Sequence, residues 1–259
     1  MRFYDRQKTQ PAAESAVAKV QPPVNSGQKE QPPVFAAGWC AAKIFMVFVM
    51  GCLLGTWYEE TLHLVKFGVW ESRRGVIYGP FNPVYGLGFA LFVILLGKHN
   101  DTRKWYMTYL YSALIGGTAE YVLNFLQEVL LHNKSWDYTG YFLNIGGRTT
   151  IPFMLFWGLG GLIFMKWLYP ALSVLIEKIP YQFGKRMLPV LVVFMCADMF
   201  ISYTALFRQS FRHEGRPPAT VLGQIYDEVY TDAYLEQIFP NMEFEKPVQG
   251  QTNGESEDL

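Results

Sequence analysis

The residues of this sequence most able to do chemistry are ionisable side chains set inside or beside apolar runs. Glu120 lies in SALIGGTAEYVLNFLQ, in a run that starts at Trp105. That places it about 15 residues in, roughly 22 Å along a helix at 1.5 Å per residue. A carboxylate there costs about 2.5 to 3.5 kcal/mol on membrane-insertion scales unless it faces protein or water. Its neighbours fit that escape: Ala113, Gly116, Gly117, Glu120, Asn124 and Gln127 recur at three- and four-residue steps and form one small-and-polar stripe. Such a stripe packs against other helices or lines a cavity. Glu59 and Glu60 close the first apolar run, with Gly51, Gly55 and Glu59 on one face, and Asp198 and Ser202 share a face of the last run. Arg148, in NIGGRTTIP, and Arg74, in RRGVIYGP, are the natural counterions for these carboxylates. Together the groups could line a polar path through a membrane. Two plainer readings stay open: Glu59 and Glu60 as interfacial residues facing headgroups, and Glu120 as one half of a buried structural ion pair.

Enzyme chemistry has less to work with. Asp137 or Glu59 could act as a base while Arg74 and Arg148 clamp a phosphate on a lipid-linked substrate. However, His63 and His132 stand alone, and neither a Ser/His/Asp arrangement nor metal-ligand spacing occurs. No catalytic residue, metal site or cofactor is expected. The sequence holds no GxxxxGK[ST], so nucleotide binding through a P-loop is excluded.

Five apolar runs must position these groups: about Gly38–Tyr58, Pro83–Gly97, Trp105–Leu126, Ile151–Leu168 and Leu188–Phe207. Of the 259 residues 51% are hydrophobic and only 17% charged, against about 25% charged in soluble domains. A formal net charge of zero argues against a nucleic-acid partner. A bilayer-spanning helix needs about 20 apolar residues, so the second run predicts a tilted, half-inserted or broken helix. Trp57, Tyr58, Trp105, Tyr106, Trp167 and Tyr169 sit near run ends, as an interfacial belt requires. The expected fold is all-α, a helical bundle in the lipid bilayer with about five transmembrane helices. It divides into a disordered Pro/Gln-rich arm at 1–36, a transmembrane domain at 37–207 and a polar acidic tail at 208–259. That tail carries an amphipathic helix at Ala219–Ile238 and a loose end at Gly250–Leu259. The polar amino end has no signal-peptide core, so the first helix is its own insertion signal. Cys40, Cys52 and Cys196 read as small buried apolar residues.

Lys43, Lys98, Arg103, Lys104, Lys178, Lys185 and Arg186 lie on the amino-terminal side, which favours a cytoplasmic amino terminus in a multi-pass protein of the cell membrane. The loops ESRRGVIYGPFNPVYGLG and HNKSWDYTGYFLNIGGRTTIP are dense in Gly, Pro, Asn and aromatics and should be ordered. Both fall on the far side, next to Glu59 and Arg148, and Glu120 and Asn124 point into the same half of the membrane. One polar pocket opening on one face is the simplest arrangement.

The same residues carry a resemblance. GTWYEE, RRGVIYGPFNPVYGLG, the TAEY of the third run, SWDY followed by NIGGR, and LFWGLGGL resemble the family of putative ABC-transporter permeases, type IV, over about Phe45–Pro170. The FPNM at Phe239–Met242 is similar to a late feature of some members. The family pattern picks out Glu59, Arg74, Gly75, Gly79, Pro80, Pro83, Tyr85, Gly86, Glu120, Trp136, Asp137, Tyr138, Asn144, Gly147 and Arg148. One departure is visible: Gly55-Thr56 stands where the family often has Gly-Trp, with the tryptophan at Trp57. The resemblance implies a multi-pass, commonly bacterial membrane protein, and as a permease subunit it would need a separate ATPase. Five spans without an internal repeat also call for a homo-oligomer or another partner. Transport stands first, a non-catalytic membrane scaffold or regulator second, and a membrane-embedded enzyme last. The polar-pocket candidates are Glu59, Arg74, Glu120, Asn124, Asp137, Asn144, Arg148 and Asp198.

Overall fold

A computed structural model describes residues 33–131, 133–240 and 242–244. Nearly all of the expected arm at 1–36, and the end at 250–259, lie outside the described residues. The apolar runs form helices, the conformation that satisfies its backbone polar groups internally where water is absent. They are α1 (Ala41–Phe67), α2 (Pro83–Leu96, extended by one tight turn at Gly97–His99) and α3 (Trp105–Leu131). A rod over Ile151–Glu177 follows, made of α4 (Ile151–Ile163), a π turn at Phe164–Leu168 and α5 (Tyr169–Glu177); α6 is Tyr181–His213. The molecule is thus a helical membrane bundle. Among the described residues three helices, α1, the α4–α5 rod and α6, are long and apolar enough to cross a membrane. The fourth and fifth runs are longer than composition suggested, and only Lys178–Pro180 separates the rod from α6.

The rod passes Pro170 because of its π turn. Proline has no N–H and its ring clashes with the carbonyl four residues back. The wider turn just before it hands the Tyr169 N–H to the Phe164 carbonyl, which leaves the Met165 carbonyl without a helical donor. Asn100 fills that gap with its Nδ2 at 2.7 Å, and Lys166 Nζ in turn reaches the Asn100 carbonyl at 2.7 Å.

Glycines set the helix pairing. α1 and α2 run antiparallel, with Gly51 against Phe89 and Gly86, and Gly55 under the ring of Tyr85. α3 and α4 repeat the device: Gly116 lies under Trp157, Gly117 under Met154 and Gly161 against Ser112. The stripe read from the sequence is therefore a packing face for α4 along Ala113–Gly117, and it carries its carboxylate at Glu120 beyond that contact.

At the amino-terminal end of the bundle, Met46, Val47, Phe92, Val93, Phe164 and Leu172 form the core. Lys43, counted above among the charges that orient the chain, is 1% exposed and paired with Glu177, with Ser173 Oγ at 2.6 Å. It fastens α1 to α5. Of the three cysteines only Cys52 is buried; Cys40 is half-buried and Cys196 faces outward from α6.

The region after α6 folds back. Instead of one amphipathic helix it has two, α7 (Val221–Val229) and α8 (Asp232–Ile238), each opened by a threonine cap, Thr220 on Gly223 and Thr231 on Tyr234. Tyr226, Tyr230, Leu235 and Phe239 pack against Ile77, Ala205 and Leu206. Arg208 grips both carboxylate oxygens of Asp227 at 2.7 Å, and Arg212 spans Asp227 at 2.8 Å and Asp232 at 2.6 Å. The Arg208 fork, above all, holds Asp227 below the ordinary aspartate range. A depressed carboxyl stabilises the fold above the unfolded-state value of about 3.9 and loses that contribution as pH falls toward the folded one. Hydrogen-exchange protection factors of 221–238, which are corrected for the intrinsic pH dependence of exchange, should therefore be flat from neutral pH down to about 5 and fall steeply below about 4. Asp227→Asn should loosen the segment at neutral pH by about 1–3 kcal/mol; unchanged protection in that variant would show that the ion pairs do not hold it.

Candidate functional site

Two non-helical segments bring the site together. The first, residues 68–82, leaves α1 through Gly68 in the left-handed region and returns to the middle of the helix it left, where the Asn82 N–H donates to the Cys52 carbonyl at 3.1 Å. Asn82 also accepts from Val84 N at 3.1 Å, capping α2, and its Nδ2 donates to the Arg73 carbonyl at 2.9 Å. On the other flank, Ile77 N donates to Ser202 Oγ at 2.8 Å and Tyr78 N to Asp198 Oδ1 at 3.1 Å. This is the physical reason that α2 is short: its missing half is a non-helical segment held by the Cys52 carbonyl of α1 and by Asp198 and Ser202 of α6.

The second segment, residues 133–150, is a compact turn system over the end of α3. A two-residue ladder pairs β2 (Asn144–Ile145) with β3 (Thr149–Thr150), the strands between β1 (Asn133–Lys134) and β4 (Glu243–Phe244) in chain order. Its turn needs Gly146 and Gly147 at φ of +59° and +70°. Asn124, 1% exposed on α3, donates to the Trp136 carbonyl at 2.8 Å, and Trp136 Nε1 donates to the Arg148 carbonyl at 3.1 Å. Thr150 caps α4 by accepting from Phe153 N.

Between these segments lies a cavity of about 620 Å³, lined among others by Glu59, Arg74, Tyr85, Glu120, Tyr138 and Trp157. The Tyr85 hydroxyl donates to Glu59. The Tyr138 hydroxyl donates to Glu120 Oε1 at 3.0 Å, and Thr149 Oγ1 donates to Glu120 Oε2 at 2.7 Å. Neither carboxylate has an ion-pair partner among the described residues. Burial, then the charge of Glu120 and the hydrogen bond to it, push the Tyr138 hydroxyl above its ordinary range, with a smaller push from Glu59. Both acids thus act on one hydroxyl. Arg73 also lines the cavity but pairs with Glu71 at 3.1 Å. Phe239 and Met242, the outer residues of FPNM, close part of the wall.

The eight candidates divide by place. Glu59, Arg74 and Glu120 line the cavity. Asn124 and Asp198 are buried and hold backbone of the two loops. Asn144 organises the turn, accepting from Gly147 N and donating to the carbonyls of Thr139 and Tyr141, each at 3.1 Å. Asp137 is exposed and turned onto Thr139, whose hydroxyl is the main reason its carboxyl sits below the usual range. Arg148 is counterion to none of Glu59, Glu120 and Asp198: it pairs with Glu128 and lies over the rings of Tyr121 and Phe125 at 5.6 and 5.4 Å. The reading missed Glu128, although four residues past Asn124 it continues the polar stripe on α3. It also left Tyr85 and Tyr138 out of the pocket, and their hydroxyls were the donors to look for.

Gly55 is where the packing meets the site, since a methyl group there would overlap the Tyr85 ring. Gly55→Ala should push Tyr85 off Glu59 and destabilise the protein by about 1–3 kcal/mol. Gly160→Ala, with open space around it, should be neutral or slightly stabilising, because alanine favours helix by about 1 kcal/mol. Thermal unfolding in detergent compares the two; equal melting temperatures would refute the tight α1–α2 contact.

A family model described as "Putative ABC-transporter type IV" matches residues 46–203, more than half of the 259 residues. No curated protein and no solved structure matches the chain.

Proposed function

The chain belongs to that ABC-transporter family, and on that premise we propose that it is a permease subunit whose cavity between the two ordered loops passes a small solute across the membrane. The observation that carries the reading is the convergence of Glu59 from α1 and Glu120 from α3 on one cavity, each bonded to a tyrosine and neither ion-paired among the described residues. Intramembrane acids that are not spent on a structural ion pair mark solute pathways. The interrupted entry into α2 supports it too, because non-helical backbone at membrane depth goes with binding sites in transporters. Glu59 and Glu120 contact the solute in this reading, with Arg74 in the same lining beside Asp198, while Asn124, Asn144 and Asp198 hold the loops and Asp137 and Arg148 fix the outer turn.

Energy comes from a separate ATPase subunit, since the sequence has no P-loop. With the amino-terminal side in the cytoplasm, as the basic residues there favour, the ATPase meets the segments around Gly97–Lys104 and Lys178–Pro180. A bundle this small works as a homo-oligomer or beside a second membrane subunit.

Purification of the tagged chain from native membranes in mild detergent should bring down a stoichiometric ATPase that survives moderate salt. Glu120→Gln should keep that complex and its basal ATP hydrolysis while ATP-dependent solute accumulation in proteoliposomes falls at least about tenfold, as expected when a functional intramembrane acid is neutralised. A folded, homogeneous chain without any ATPase would reject the ATP-driven reading. An intact complex with undiminished accumulation in Glu120→Gln would reject the cavity as the path.

A further inference from the structure

The cavity has a chemistry of its own beyond being polar. Its two carboxylates are matched with hydroxyl donors and not with cations: Glu59 with Tyr85, and Glu120 with Tyr138 and Thr149. Its walls are aromatic, with Tyr85, Trp136, Tyr138 and Trp157 among the lining residues, and the rings of Tyr85 and Trp157 lie 6.4 Å apart. Two arginines also line it. Arg73 is paired with Glu71 and lies within electrostatic reach of Glu59, while Arg74, without an ion pair among the described residues, lies within electrostatic reach of Asp198, which is 2% exposed. Glu71 and Asp198 balance these two arginines, so the net charge of the lining and its nearest neighbours is that of Glu59 and Glu120.

Fixed negative charge among aromatic rings is a combination that recognises an ammonium ion. The rings attract the cation through their quadrupoles without the strong solvation that a bare carboxylate demands, and the carboxylates supply long-range attraction in a water-poor space. A volume of about 620 Å³ is within the range of small-molecule sites, and ample for an amine with an apolar body. An anion would meet two carboxylates at close range. A neutral solute would leave both charges without compensation.

We infer that this cavity binds an organic ammonium ion, seated between Glu59 and Glu120 and caged by Tyr85, Trp136, Tyr138 and Trp157; the inference rests on the reading of the cavity as the solute site. The ammonium group belongs either to a soluble amine or to a lipid headgroup.

The test is equilibrium binding of radiolabelled choline to the full chain in phosphatidylglycerol nanodiscs, with competition by choline's neutral isostere, in which carbon replaces the nitrogen. Saturable binding is expected, with the isostere at least about tenfold weaker. Glu59→Gln and Glu120→Gln should each weaken choline about tenfold, and Asp137→Asn, outside the cavity, should not. Equal competition by the isostere, or no saturable binding at millimolar choline, overturns the inference on the unaltered protein alone, whatever the variants do to folding. Repeating the measurement in phosphatidylethanolamine discs assigns the source. Weaker choline binding there identifies a headgroup as the natural occupant, and unchanged binding identifies a soluble amine; both outcomes support the ammonium site. If choline fails while the ATPase complex and accumulation persist, the ligand class is wrong and the transport reading stands. If choline binds and no ATPase is found, the reverse holds.

Discussion

Every backbone N–H and C=O that leaves a helix inside a membrane protein needs a partner from the protein itself, and the site hangs on how this chain meets that demand. Two long segments, 68–82 and 133–150, abandon helical geometry beside the bundle. Each is anchored by side chains that a sequence reading would assign to function. Asp198 and Ser202 take the N–H groups of Tyr78 and Ile77; Asn82 takes Val84 and gives to Arg73; Asn124 and Trp136 secure the second loop from α3. Without these bonds the two loops could not stay folded against the helices, and the cavity between them would not exist.

The helices can supply those anchors because they approach closely. Gly51 and Gly55 let α2 settle onto α1, and Gly116, Gly117 and Gly161 do the same for α3 and α4. Lipid tails are as apolar as leucine, so helix association gains little from the hydrophobic effect and depends on such contact. The closeness has a direct chemical result: Gly55 seats the ring of Tyr85 so that its hydroxyl, one helix away, reaches Glu59. The π turn before Pro170 solves a related problem by passing one freed carbonyl to Asn100.

Much of the fold was legible because the signals were strong and local. Five apolar runs separated by Gly/Pro-rich loops allow little except a helical bundle, and Pro83 after Asn82 marks a helix start. The second run forms an unbroken helix as short as its composition predicts, entered from non-helical backbone at 68–82. Within the site, Glu59, Glu120 and Arg74 could be grouped because their depth and side follow from counting along helices. Partner choice could not be read in that way. Arg148 and Glu128 are twenty residues apart and meet through a turn whose shape depends on Gly146 and Gly147 at positive φ. Asn124 and Asp198 looked like pocket residues because burial of a polar side chain is visible in sequence, whereas what it bonds is not. The ends of α4–α5 and α6 were misjudged for a similar reason: Glu177, Lys185 and Arg186 look like loop, but a helix tolerates charges where it emerges from lipid.

The distribution of cations gives the site its character. Lys43 is spent on Glu177, Arg73 on Glu71, Arg148 on Glu128, and Arg208 and Arg212 on Asp227 and Asp232. These pairs tie helix ends, loops and the carboxyl-terminal segment together, and a buried charge is tolerated when it is matched in this way. Glu59 and Glu120 stand outside that scheme. If their role were only to hold helices, an arginine partner would serve better than a tyrosine hydroxyl, which adds a hydrogen bond and no charge. Hydroxyl donors orient the two carboxylates and add no charge of their own, and Arg73 acts on Glu59 only from beyond ion-pair distance. A group arranged like that is either neutralised by a proton or completed by something that enters.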